Sequence, residues 1–336
     1  MKVLITGGAG FVGNRLATAL LARGELGGNA ITAVVLADQV QARGAVLEDA
    51  RVSMRVGPLI DQCAALREES FEAVFHLASA VSGECEADFE LGLRTNLDST
   101  RALLDALRYR TEQGHAPTRL VFSSSVAVFG PDPAFAWPGI VSDETLPTPQ
   151  TSYGIQKLIC EHLVADYTRK GFIDGRSARL MTVAVRPGRP NGAASSFFSG
   201  IIREPLAGLE ALLPVDLTVS HPVSSPARTV QGLMAVFEAS REALRGRTAI
   251  NLPALNVSVR QMLDALVAVA GPKVRAHVRQ VPDARIAGIV ANWPTGATAA
   301  RAAALGLLPE ANFEDIVRQY IADHADQPEA LRGMHA

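Results

Sequence analysis

The chain has 336 residues, enough for one large domain or two fused lobes. Its 32 basic and 34 acidic residues leave a net charge of −2 with no long basic run, which argues against nucleic acid or an anionic membrane as partner. No apolar stretch is long enough to span a bilayer, and the scattered Cys63, Cys85 and Cys160 read as reduced thiols without metal-ligand spacing, so a cytoplasmic protein with no metal site is expected.

The first thirteen residues organise the rest. Val3 to Ile5 is an uncharged apolar run that predicts a buried strand, broken at Thr6-Gly7-Gly8-Ala9-Gly10. From Phe11 the positions Val12, Leu16, Ala19 and Leu20 recur at helical spacing, with Gly24 as the stop. A strand, a Gly-rich turn and a helix place backbone N–H groups and a positive helix end against a pyrophosphate. Gly7 permits the tight turn, Gly10 the approach of phosphate and Gly13 the close packing of helix on strand, and Phe11 and Val12 open the helix at the same place. The spacing Gly7-x-x-Gly10-x-x-Gly13 is one residue wider at its first step than the commonest dinucleotide fingerprint, and such a turn can also be purely structural.

A second apolar run, residues 30–37, ends in Asp38. A carboxylate there accepts both adenine-ribose hydroxyls and repels a 2′-phosphate, and no Arg follows until Arg43, which favours NAD over NADP. Residues 51–56 predict a short strand, after which the backbone borders adenine in related folds, making Leu59 and Asp61 candidates. The fourth strand, 71–79, ends in the small residues Ala78-Ser79-Ala80, which permit close approach to a ligand and make Leu77, Ala78 and Ser79 cofactor candidates; Ser82 and Gly83 continue as a loop at the same ligand-binding edge. His76, inside that strand, reads as a core residue. Residues 86–110 predict one long helix carrying Asn96.

The fifth strand, 119–125, closes on Ser123-Ser124-Ser125, which is either site chemistry or turn chemistry. A Pro-rich loop over 130–150 suggests a lid or wall. The helix beginning near Thr151 then places Tyr153 and Lys157 on one face. A free phenol has a pKa of about 10, and a nearby ammonium lowers it, which makes Tyr153 a credible general base.

Together Thr6-Gly-Gly-Ala-Gly-Phe-Val-Gly13, Asp38, His76-Leu-Ala-Ser79, Asn96, Ser123-Ser-Ser125 and Tyr153-x-x-x-Lys157 resemble the extended branch of the short-chain dehydrogenase/reductase superfamily across the first half of the chain. The resemblance implies an α/β fold: a Rossmann-type doubly wound parallel sheet with a smaller C-terminal α/β substrate lobe. It implies NAD as cofactor and a homodimer through the helices at 86–110 and 152–170. It implies Tyr153 as proton acceptor, Lys157 on the nicotinamide ribose, Ser125 on the reacting oxygen, Ser124 and Pro187 beside the cofactor, and a relay water on Asn96.

Within that branch the chain departs from the nucleotide-sugar epimerases. Val185-Arg-Pro-Gly-Arg-Pro-Asn191 stands in place of an Arg-Tyr-Phe-Asn-like stretch, and uridine-stacking aromatics are not evident. Residues 81–90, 186–191, 193–206 and 249–253 are instead similar to dehydrogenases of small sugar acids. That likeness implies NAD-dependent oxidation of a four-carbon sugar acid at C2. Donors for its carboxylate and hydroxyls are then Ser82, Gly83, Asn191, Ser195, Ser196 and Arg203, beside Ser125 and Tyr153; which one meets the carboxylate stays open. A nucleotide-sugar epimerase or dehydratase and a non-catalytic NAD-binding sensor are the alternatives. Residues 1–185 are expected to form the NAD-binding domain, with a helix near 229–242 returning to it. The substrate lobe is expected over 186–228 and 249–330, with helices at 259–270, 297–305 and 312–325, and 331–336 as a frayed tail.

Overall fold

Apolar runs bounded by glycine or polar residues form the strands of a seven-stranded parallel sheet in the computed structural model, which describes residues 1–188 and 193–334. In chain order the first elements are β1 (Lys2–Thr6), α1 (Phe11–Arg23), β2 (Ala33–Asp38), β3 (Val52–Val56), α2 (Leu59–Leu66) and β4 (Ala73–His76). Then come α3 (Ser82–Ala87), α4 (Phe89–Gly92), a π-helical turn (Leu93–Asp98), α5 (Ser99–Glu112), β5 (Arg119–Ser125), α6 (Ser152–Arg169) and β6 (Asp174–Leu180). The remainder contributes β7 (Thr182–Val183), α7 (Ser196–Leu206), β8 (Ser220–Ser224), α8 (Pro226–Glu238), β9 (Ile250–Asn251), β10 (Leu255–Ser258) and α9 (Val259–Ala270).

The sheet order is β9-β6-β5-β4-β1-β2-β3. The chain runs outward from β1 through β2 and β3, then crosses back to β4. The switch point therefore lies between β1 and β4, and the crevice at their carboxyl ends is where such sheets bind ligands. Both faces are covered, which is why the strands read as continuous apolar runs. Val3, Ile5, Phe75 and Val121 pack under α1 and α8, while Leu4, Val74, Leu120 and Phe122 pack under α2, α5 and α6. Each such fully buried side chain stabilises the fold by about 1.5–3 kcal/mol before entropy is counted. The returning helix is α8, somewhat earlier than 229–242; Ser225 caps it by accepting from Arg228 N–H, and Phe237 meets Phe75 at 5.4 Å between ring centroids.

A second core gathers α7, α9 and the helix Phe313–Asp323 around Phe198, Ile201, Leu266 and Val317. Beside it β7 pairs parallel with β8, and β8 antiparallel with β10.

Several sequence expectations shift. The single helix expected over 86–110 is interrupted at Asp88, whose extended backbone (φ −138°) ends α3 and whose Oδ1 accepts from Leu91 N–H to start α4. Ser82 and Gly83 are not loop residues but the first turn of α3. The second strand starts at Ala33, because Glu25–Leu26 and Asn29–Ala30 pair as a separate hairpin. The helix expected at 297–305 shrinks to Ala300–Ala303, since Gly296–Ala297 pairs with Ile140–Val141 and ties down the Pro-rich loop. Residues 331–334, expected to fray, pack onto the second core: Leu331 is buried and Gly333 lies against Pro205 and Gly208, too close for any Cβ. No helix among the described residues is long and apolar enough to cross a membrane.

Candidate active site

The glycine turn after β1 is held from both sides. Gly7 has φ +71°, and a Cβ there would lie 2.7 Å from Ala78 N, so this turn and the tip of β4 touch only because Gly7 lacks one. A Cβ on Gly13 would collide with Gly7 O and approach Gly8 Cα to 2.9 Å, so the first turn of α1 sits directly on the loop. A Cβ on Gly10 would meet only Gly7 O, at 3.2 Å, which leaves that position's outer face open to a ligand. Asp38 closes the turn: its Oδ2 accepts from Ala9 N–H at 2.9 Å, while the carboxylate stays partly exposed. Gly57 N–H donates to Asp38 O at 2.8 Å, bringing the start of α2 alongside; Leu59 is buried there and Asp61 is exposed. The cradle of small residues at the amino end of a helix fits a dinucleotide's pyrophosphate, with Asp38 placed for the ribose.

His76 is a core residue, as read from the sequence, and its tautomer is fixed by a one-way chain. The Thr100 hydroxyl donates to Asn96 O at 2.5 Å, so it accepts from His76 Nε2–H at 2.8 Å. His76 Nδ1 then accepts from the Thr6 hydroxyl at 2.7 Å, whose oxygen in turn accepts from Leu77 N–H and Ala78 N–H, both at 3.2 Å. Burial pushes this imidazole down to about 3. The residues at the tip of β4 are thereby held from below.

Asn96 does the same for Ser79 and Ala80. The π-helical turn aims its amide inward, where Oδ1 accepts from Ala80 N–H at 2.7 Å and Ser79 Oγ at 3.0 Å, and Nδ2 donates to Gln156 Oε1 at 2.8 Å and Ala80 O at 3.3 Å. Its carbonyl already accepts from Thr100 and Cys160. Both the side chain and the carbonyl of Asn96 thus have protein partners.

Tyr153, Lys157 and Ser125 come together at the carboxyl end of β5. Thr151 caps α6 by accepting from Gly154 N–H, and a Cβ on Gly154 would lie 3.0 Å from the Ala127 carbonyl carbon and Pro149 Cβ, so the helix starts hard against the strand's end. Lys157 is buried, donates to Ser123 O at 2.8 Å, and sits 5.6 Å from the centroid of the Tyr153 ring. Burial pulls its ammonium down to about 8. The Tyr153 phenol is pushed up, not down as expected: burial outweighs the opposing pull of the Ser125 hydroxyl, the Arg186 guanidinium and the Ser79 hydroxyl. Arg186 is a second cation beside this phenol, in addition to Lys157.

Ser124 departs from expectation. The pleat turns its hydroxyl to the α6 side, where it donates to Glu161 Oε1 at 2.5 Å. Glu161 is itself held by Arg179 through two bonds, 2.9 and 2.8 Å, so the Ser124 side chain belongs to a buried network rather than to the cleft.

The segment nominated for substrate contacts has its own order. Arg203 is buried on Glu204 and donates through Nη1 to Arg186 O at 2.8 Å. Ser195 precedes α7 and accepts from Arg186 Nη2 at 3.0 Å; Ser196 is the first residue of that helix. Pro187 is exposed, and Asn191 lies outside the described residues. Sequence reasoning missed Arg186, Glu161 and Gln156. A signal existed for Glu161, four residues beyond Lys157 on the same helix face, and for Arg186, a lone cation directly after the apolar pair Ala184-Val185.

A glycine cradle that fits a pyrophosphate and the Ser125, Tyr153 and Lys157 side chains thus share one sheet edge, the arrangement of an NAD-dependent oxidoreductase. The chain belongs to the NAD dependent epimerase/dehydratase family, which residues 3–248 match. It is 48% identical over 330 residues to D-erythronate dehydrogenase of Cupriavidus necator, covering 96% of this chain and 98% of that protein. It is 40% identical to D-erythronate dehydrogenase of Haemophilus influenzae, with 96% and 99% covered. A crystal structure described as the nucleoside-diphosphate-sugar epimerase from Agrobacterium tumefaciens matches with a TM-score of 0.91 at 40% identity, covering 97% of this chain and 95% of that one. The chain is an enzyme, a dehydrogenase with NAD as its cofactor.

Proposed function

We propose that this enzyme oxidises D-erythronate, a four-carbon sugar acid, at its C2 hydroxyl to the 2-oxo acid. The observation that carries the reading is the convergence of Ser125, Tyr153 and Lys157 beside the glycine cradle, in a chain similar over nearly its full length to D-erythronate dehydrogenases. Bound NAD supplies the acceptor for the hydride that leaves C2. Ser125 and Tyr153 hold the C2 hydroxyl, and its proton passes to the Tyr153 phenolate oxygen as the carbonyl forms. Lys157, bonded to Ser123 O and pulled down to about 8 by burial, stands under the phenol ring where it can take up or release a proton close to neutral pH. Around these groups, Glu161 and Arg179 hold Ser124, while Asn96 and His76 hold the tip of β4.

Exposed apolar side chains on neighbouring helices, Phe89 on α4 with Ile155 and Ile159 one turn apart on α6, support a homodimer through that face, to be checked by light scattering. Three buried free thiols fit a reducing compartment, the cytoplasm.

The test is NADH formation with D- and L-erythronate, D- and L-threonate, threonine and a UDP-sugar. Turnover confined to one or two four-carbon acids is the expected result. Silence on every acid with epimerisation of the UDP-sugar overturns the reading and favours the activity named for the A. tumefaciens protein.

A further inference from the structure

We infer that Arg186 receives the substrate's carboxylate, and that α7 is built to hold it in place. The assignment rests on the sugar-acid reading above and adds the residue that selects an acid.

The guanidinium of Arg186 is half-buried against Phe11 of the glycine turn, 6.0 Å from the ring centroid, and close enough to Tyr153 to bias its ionisation. Nε donates to Val183 O at 2.9 Å and Nη2 to Ser195 Oγ at 3.0 Å. No carboxylate among the described residues pairs with it. The other arginines around this cleft differ: Arg179 holds Glu161 and Arg203 holds Glu204. Burial pulls the Arg186 cation down from its ordinary value, the cost of partial desolvation without an anion.

Three candidates exist for that anion. The pyrophosphate already has the N–H groups of the glycine turn and the amino end of α1. A Tyr153 phenolate is transient. The remaining candidate is the acid. In a 2-hydroxy acid the carboxyl carbon is bonded to C2, so once the C2 hydroxyl lies on Tyr153 and Ser125 its carboxylate must fall beside them. Among the described residues the cations beside them are Lys157, which is bonded to Ser123 O beneath the phenol ring, and Arg186, whose guanidinium offers a carboxylate two parallel N–H groups.

The packing behind Arg186 fits this role. Ser195, Ser199 and Arg203 stand four residues apart, along one face of α7 and its leading residue, and all three bond Arg186. Ser195 takes the guanidinium, Ser199 Oγ accepts from the Arg186 N–H at 3.0 Å, and Arg203 donates to the Arg186 carbonyl at 2.8 Å. Arg203 lies behind that carbonyl, so it positions Arg186 instead of meeting the substrate.

The test compares Arg186→Gln and Arg186→Lys with wild type, measuring KM and kcat for the acid and, separately, NADH affinity by fluorescence titration. Arg186→Gln should raise KM for the acid about 100-fold, with Arg186→Lys intermediate and NADH affinity changed less than threefold, roughly the loss expected when one partner of a desolvated charge pair is removed. Wild type should also prefer the acid to its uncharged carboxamide by a similar factor. That measurement needs no variant, so it stands even if Arg186→Gln fails to fold. Unchanged KM, equal use of acid and carboxamide, or weakened NADH binding with KM intact would each overturn the assignment while leaving the dehydrogenase reading in place. If wild type oxidises none of the acids, the functional reading itself falls and this assignment with it.

Discussion

Opposing influences meet at the Tyr153 hydroxyl. Burial favours the neutral phenol, while Ser125, Arg186 and Ser79 favour the phenolate. If the proposed reaction holds, with phenolate needed to oxidise the acid and phenol to reduce the 2-oxo acid, the net upward push predicts that oxidation quickens as pH rises above neutral while reduction slows. Initial rates in both directions between pH 6 and 9 check this; parallel profiles would contradict it. Under the proposed mechanism Tyr153→Phe removes the proton acceptor and little else. It should bind NADH normally and lose turnover by about 100- to 10,000-fold, and an unchanged kcat would remove Tyr153 from the mechanism.

At the scale of one element, the turn joining β1 to α1 separates two glycines by purpose. Alanine at Gly13 would strike Gly7 O and crowd Gly8, so α1 must back away; stability should fall by about 1–3 kcal/mol and NADH binding should weaken with it. Alanine at Gly10 meets a single carbonyl at 3.2 Å, so Gly10→Ala should fold with nearly the wild-type Tm and still bind NADH poorly. Paired melting curves and NADH titrations distinguish the two. Equal Tm losses would mean that Gly10 serves only the fold. The run between 82 and 112 makes a related point. Its apolar pattern suits a helix throughout, yet Asp88 breaks it, and the π-helical turn swings Asn96 inward to hold the tip of β4.

Over the whole molecule, two buried imidazoles couple stability to pH, one in each core. His221 donates through Nδ1 to Pro294 O at 2.9 Å, accepts from Thr182 Oγ1 at 2.7 Å, and stacks on Phe198 at 5.2 Å between ring centroids. Burial pushes it down to about 4, and His76 to about 3, from an ordinary value near 6.5. Between pH 6.5 and 4 the unfolded chain takes up protons at both positions and the native protein does not, so stability is full above that window and declines as pH falls through it. Calorimetry should show Tm dropping by several degrees from pH 7 to pH 5, with a shallower drop in His221→Gln. An identical slope in that variant would show that other groups dominate.

The sequence by itself determined the parallel sheet, the glycine turn, Asp38 at the end of β2 and the Tyr153–Lys157 face, because each is a local pattern of apolar period, glycine spacing or helical repeat. It left the substrate end unresolved for a physical reason. Arg186 and Arg203 are both arginines beside serines, and nothing in their spacing says which faces the cleft. Only the tertiary packing decides that: Glu204 neutralises Arg203, the face of α7 grips Arg186, and the pleat of β5 sends Ser124 to Glu161 while leaving Ser125 with Tyr153.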